Sequence, residues 1–130
     1  MPKAVLIHQV RLVNEGKIED TDLLIEGDRI SHIGSYRPEY KYEEVDGKGL
    51  FLIPGIIDDQ VHFRQPGLTH KADIGSESRA GVAGGVTSFM EMPNTIPAAT
   101  TLDLLEQKFE LAARESFCNY SFYLGASDYN

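Results

Sequence analysis

The sequence predicts an α/β protein in which a strand-rich opening gives way to alternating strands and helices. Three observations predict it. Short β-prone runs separated by turn residues occupy the chain up to about Gly49. A near-continuous apolar run, Phe51-Leu52-Ile53-Pro54-Gly55-Ile56-Ile57, follows. Beyond it, helix-period and strand-type segments alternate in the order β-α-β-α-β, the pattern of parallel strands with right-handed helical crossovers. That order fits half of a doubly wound sheet or the opening of a (β/α)8 barrel. No Gly-rich phosphate loop follows the first of these strands, which weighs against the dinucleotide-binding version.

The elements follow from local chemistry. Val5-Leu6-Ile7 and Val10–Val13 are β-prone, and Asn14-Glu15-Gly16-Lys17 is a turn. Leu23–Glu26 and Arg29–Ile33 flank Gly27-Asp28, the spacing of a tight hairpin in which glycine supplies a positive φ. Residues 34–41 form a polar, proline-containing connection, and Glu44–Gly49 is one more strand end and turn. These segments are too few to close a barrel alone. The run Phe51–Ile57 has the character of a strand buried on both faces. Asp73 is placed to cap a helix reaching Ala83, with Ile74, Ser78 and Val82 on one face and Gly84-Gly85 ending it. Val86–Met92 is a second strand, and Pro93–Pro97 a loop that cannot continue it. Thr100 or Thr101 caps a second helix with Leu102, Leu105, Phe109 and Ala112 on one face. Asn119–Gly125 is a third strand. The chain stops just beyond it with no helix to cover it, so it is expected to be a fragment of a longer protein.

Composition narrows the function. A formal net charge of −8 disfavours a nucleic-acid partner, because phosphate backbones call for an excess of Lys and Arg. No apolar run approaches the length of a membrane span, so no membrane partner is expected. The lone cysteine, Cys118, cannot form an internal disulfide, and a reducing cytoplasm is the expected location.

Two polar clusters stand at the carboxyl ends of predicted parallel strands, where ligands gather in such folds. They are Asp58–Arg64 and Glu91–Thr95. His62 is the best candidate metal ligand, since neutral imidazole is a common ligand for zinc. Gln60 lies two residues earlier and, on an extended strand, faces the same way; its amide oxygen is a weaker ligand. Arg64 continues that face and suits bidentate capture of a carboxylate. Asn94 has an amide for the same anion, and Asp58 is a candidate to orient a ligand. Each has an ordinary alternative. His62 fits a hydrogen-bonded strand-end residue, Arg64 a salt bridge, Asn94 an Asx turn and Asp58 a strand terminator. Glu91 has no assigned role, because its direction within the strand is open.

The stretch Pro54-Gly55-Ile56-Ile57-Asp58-Asp59-Gln60-Val61-His62-Phe63-Arg64-Gln65-Pro66-Gly67 resembles the metal-binding signature of dihydroorotases in the amidohydrolase superfamily. The likeness extends to residues 67–71, 77–87 and Met92-Pro93-Asn94-Thr95-Ile96-Pro97, and so covers most of the chain. The resemblance implies the N-terminal part of a (β/α)8 TIM-like barrel preceded by strands of a small β-sandwich. Residues 1–52 would be the sandwich share and 53–130 the first β-α units of an incomplete barrel. It implies zinc, one or two ions, and reversible cyclisation of N-carbamoyl-L-aspartate to L-dihydroorotate in pyrimidine biosynthesis. His62, with Gln60, would hold metal, and Arg64 and Asn94 would hold the substrate carboxylate. The catalytic acid/base and the later ligands would lie outside this segment, leaving the chain alone inactive. A small-molecule substrate is implied, with a homo-oligomer or a complex with another pyrimidine-pathway enzyme. The family pattern is His-x-His, whereas this chain has Gln60-Val61-His62. That departure keeps a non-catalytic homologue in view, beside a dihydropyrimidinase- or allantoinase-type amidohydrolase.

Overall fold

The computed structural model describes residues 3–130. The chain divides into two compact units, Met1–Pro54 and Gly55–Asn130.

The first unit is a β-sheet. Strands β1 (Ala4–Asn14), β2 (Lys17–Glu26), β3 (Arg29–Ile33) and β4 (Glu43–Asp46) stand in the order β3-β2-β1-β4. β1 pairs antiparallel with β2 and parallel with β4, and β2 pairs antiparallel with β3. Val5–Ile7 and Val10–Val13, expected as separate runs, belong to a single strand. A register shift between Ile7 and Val10 marks a bulge there, with Gln9 in a left-handed conformation and its amide donating to Asp22 Oδ1 at 2.8 Å. Ala4, Leu6, Val10, Leu23 and Leu24 are buried. Gly27, at φ +64, closes the β2–β3 hairpin as its sequence predicts.

The apolar run Phe51–Ile57 is not one strand. Its first residues form β5 (Phe51–Leu52), which pairs parallel with β1, and β6 begins only at Ile56. Pro54 lies between them and has no N–H to donate to a ladder. Nor is β6 buried on both faces: Ile57 is 69% exposed.

The second unit holds β6 (Ile56–Val61), α1 (Ile74–Ala83), β7 (Val86–Glu91), α2 (Leu102–Glu115) and β8 (Asn119–Phe122). The three strands are parallel and lie in the order β6-β7-β8. Asp73 caps α1, its Oδ1 accepting from the Ser76 amide at 2.7 Å. Thr101 caps α2 in the same way. The core lies between sheet and helices. Ile74, Phe89, Ala112 and Phe122 form its centre, with Val61, Phe63, Leu105 and Tyr120 packed around them. Aromatic rings dominate it, with Phe63 and Phe89 at 4.6 Å and Phe109 and Phe122 edge-to-face at 5.0 Å.

Ile74 and Ser78 on α1 and Leu105 and Ala112 on α2 face the core as expected, but one residue of each expected face does not. Val82 is exposed on α1, and Leu102 is 72% exposed on α2. The buried stripe of α2 instead runs through Leu105, Lys108 and Ala112. Those residues are spaced i, i+3, i+7, one helix face. Leu102 stands in the first turn, beyond the reach of the sheet's aromatic cluster. Among the described residues no helix is long and apolar enough to cross a membrane.

Candidate active site

The residues that matter stand where β6 and β7 end. Successive strand residues point to opposite faces. Val61 and Phe63 pack into the helix-side core, and His62, between them and just past the end of β6, is exposed. A bulge precedes it, for three residue steps on β6, Asp58 to Val61, match two on β7, Phe89 to Glu91. Asp58 serves this bulge, its Oδ1 accepting from the Gln60 amide at 3.1 Å. The freed Asp59 carbonyl accepts from the Tyr123 hydroxyl at 3.0 Å, and that hydroxyl also lies 3.8 Å from Met90 Sδ. Tyr123 was not among the residues singled out by sequence.

Of the predicted set, the structure brings together His62 and Asn94. His62 Nδ1 and Asn94 Oδ1 are 2.9 Å apart, across the loops that follow β6 and β7. With the amide oxygen facing the ring, Nδ1 is the donor of this contact, and Nε2 is the ring nitrogen it does not use. The Asn94 NH2 is then not used by the histidine. Gln60 is exposed, and its described hydrogen bond is made by its backbone.

Arg64 does not continue the Gln60/His62 face by strand alternation. β6 ends at Val61, and Arg64 has φ +71, a left-handed conformation. The backbone turns there, so the period of two that predicted a shared face no longer applies. What the fold does fix is the Arg64 amide, which donates to Glu91 Oε1 at 2.9 Å.

The two loops lock together beyond this point. The Ile96 amide donates to the Pro66 carbonyl at 3.1 Å. Gly67, at φ +85, lies so close that a Cβ there would come within 2.1 Å of the Ile96 carbonyl oxygen. Gln65 holds the base of the loop, accepting from the Ile74 amide at 2.9 Å and donating to Glu115 at 3.0 Å.

Beneath the loops sits a buried ion pair that sequence reading missed. Glu91 and Lys108 are each no more than 1% exposed, and Nζ stands 3.0 Å from Oε2. Nζ also donates to the Met92 carbonyl at 3.0 Å and lies 4.9 Å from the Phe122 ring centre. Burial pushes the Glu91 carboxyl up and the Lys108 ammonium down, while their mutual attraction opposes both shifts. The signals were present in the chain. Alternation from Phe89 puts Glu91 on the core side, and Lys108 falls in the middle of an apolar helix stripe.

Among the described residues no group of three His, Cys, Asp or Glu side chains could hold a metal. His62 and Gln60 offer an imidazole nitrogen and an amide oxygen, short of the three protein ligands usual at a catalytic zinc.

Parallel strands linked by helices, with polar side chains collected at their carboxyl ends, are β/α units of a TIM-like barrel of the cyclic-amidohydrolase kind. A family model described as Dihydro-orotase-like matches residues 49–124. The chain belongs to that family. It is 42% identical over 113 residues to a dihydroorotase of Lactococcus lactis subsp. lactis, covering 85% of this chain and 27% of that protein. It is 49% identical over 88 residues to a dihydroorotase of Carboxydothermus hydrogenoformans, covering 68% of this chain and 20% of that protein. Among solved structures it is similar to an L-hydantoinase (dihydropyrimidinase) from Arthrobacter aurescens. There the TM-score is 0.85 at 29% identity, over 98% of this chain and 29% of that one. The chain thus spans 20–28% of the length of the curated relatives compared.

Proposed function

We propose that the protein carrying these residues is a metal-dependent dihydroorotase, interconverting N-carbamoyl-L-aspartate and L-dihydroorotate. One observation carries the reading: His62 and Asn94, on loops after adjacent parallel strands, meet at 2.9 Å in a chain of the dihydroorotase-like family. The Asn94 contact orients the imidazole through Nδ1 and leaves Nε2 as the ring nitrogen open to a metal. Zinc, held in part by His62 and Gln60, would supply an activated water and polarise the ring carbonyl when bound. Arg64 and the free Asn94 NH2 would hold the substrate carboxylate, which suits a ring acid better than a neutral ring. A cytoplasmic location fits the single free cysteine.

The test is Arg64→Ala in the protein at its full natural length. Loss of a charge-assisted hydrogen bond predicts a Michaelis constant for dihydroorotate raised roughly ten- to a hundredfold. An unchanged constant removes Arg64 from the carboxylate site. Gln60, in the place where the family pattern has histidine, favours a second reading in which the protein is an inert homologue. Stoichiometric zinc with turnover supports the enzyme, and a metal-free, inactive protein supports the homologue.

A further inference from the structure

We infer that the buried Glu91–Lys108 pair positions the substrate loops, acting through the backbone of Arg64 and Met92 rather than by touching substrate. The inference rests on the dihydroorotase reading for its kinetic consequence. Its geometry stands on its own.

A buried ion pair is weak support for stability, since well-packed apolar residues of the same volume often do as well or better. The presence of charge inside this aromatic core therefore calls for another reason. The hydrogen bonds supply it. Arg64 is left-handed, just past the end of β6, where no neighbouring strand can accept from its amide. Glu91 Oε1 accepts from it at 2.9 Å. Met92 stands where β7 ends, and Lys108 Nζ donates to its carbonyl at 3.0 Å. The Met92 amide donates in turn to the Val61 carbonyl at 3.0 Å, next to His62. The pair thus joins the two points at which the strands become loops. One partner holds the chain beside His62 at Arg64, and the other holds it two residues before Asn94.

An apolar replacement would keep the core filled but leave the Arg64 amide and the Met92 carbonyl without these partners. The loops would then lose their common anchor below the His62–Asn94 contact. Lys108 belongs to α2, so the helix behind the sheet takes part in setting the loops in front of it.

The experiment uses the protein at its full natural length and the double substitution Glu91→Leu with Lys108→Met, which strands neither charge. Outer partners of a binding site typically cost tenfold or more, so the KM for dihydroorotate should rise about tenfold while kcat changes less. Glu91→Gln with Lys108→Met, which also strands no charge and keeps an amide oxygen for the Arg64 N–H, should recover most of that rise. If Glu91→Leu with Lys108→Met does not fold, Glu91→Gln with Lys108→Met takes its place, and a rise of about threefold is expected because only the Met92 tie is lost. A KM equal to the parent's in whichever double variant folds overturns the assignment. A parent protein with no ring-opening activity would instead remove the dihydroorotase reading. The positioning role is then decided by amide hydrogen exchange at Arg64 and by the His62 ring nitrogen signals. Faster exchange at Arg64 with a displaced His62 signal supports it, and both unchanged overturn it.

Discussion

Gly67→Ala tests whether the two loops are pressed together as described. The new methyl meets two obstacles. At φ +85 an L-residue is held in a left-handed conformation, which costs roughly 1–2 kcal/mol. The Cβ would also lie 2.1 Å from the Ile96 carbonyl oxygen and 2.7 Å from Ile96 Cβ, so backbone must move. Overpacking of that kind costs about 1–3 kcal/mol. If the movement also breaks the Ile96–Pro66 hydrogen bond, about 1 kcal/mol more is lost. Gly85→Ala is the matched control. It too has a positive φ, +93, but nothing lies within 4 Å of its Cβ position. Urea denaturation of both variants at full natural length separates conformation from contact. Gly85→Ala should lose roughly 1–2 kcal/mol and Gly67→Ala, with the hydrogen bond broken, roughly 3–6 kcal/mol. Only Gly67→Ala should also make the Ile96 amide exchange faster. Equal losses in the two variants would refute the loop contact.

Other consequences are simpler to read. Phe89→Ala empties the centre of the aromatic cluster and should cost about 3–5 kcal/mol in denaturant unfolding, and a loss below about 1 kcal/mol would contradict the core assignment. The Ser76 amide holds the Asp73 carboxyl below its ordinary value of 3.8. A carboxyl with a depressed folded pKa adds stability that is complete above the unfolded value and lost as pH falls through the folded one. Protection of the first turn of α1 should therefore persist at pH 3.8 and fade below it, and an Asp73 titration midpoint at or above 3.8 by NMR would contradict the cap. Gln60→His supplies a better ligand and should tighten zinc binding about tenfold in a calorimetric titration. Unchanged affinity would place residue 60 outside the metal site.

Much of this architecture was legible because it rests on local chemistry. Asp73 and Thr101 announce helix starts, Gly27 marks a hairpin, and Pro93 breaks a strand. The parallel sheet followed from the alternation of periods. What was not legible depended on tertiary context. The run Phe51–Ile57 looks continuous in composition, yet its ends pair in different sheets, a division that pairing decides and hydropathy does not. The bulge at Asp58–Val61 and the left-handed Arg64 broke the alternation used to place Arg64 beside His62. Val82 and Leu102 are apolar but lie where no neighbour covers them. Glu91 and Lys108 are the reverse case, charged residues whose periodicity marks the core side but whose pairing depends on their strand and helix facing each other. The His62–Asn94 meeting was expected from strand ends, and its 2.9 Å geometry came from the fold.

The central claim is that the loops after β6 and β7 receive a ring bearing a carboxylate. Steady-state hydrolysis of L-dihydroorotate and of dihydrouracil, the same ring without the acid, measures this directly in the protein at full natural length. A charge-assisted contact to the carboxylate predicts kcat/KM for dihydroorotate higher on the order of a hundredfold. Equal values, or a preference for the neutral ring, would contradict it.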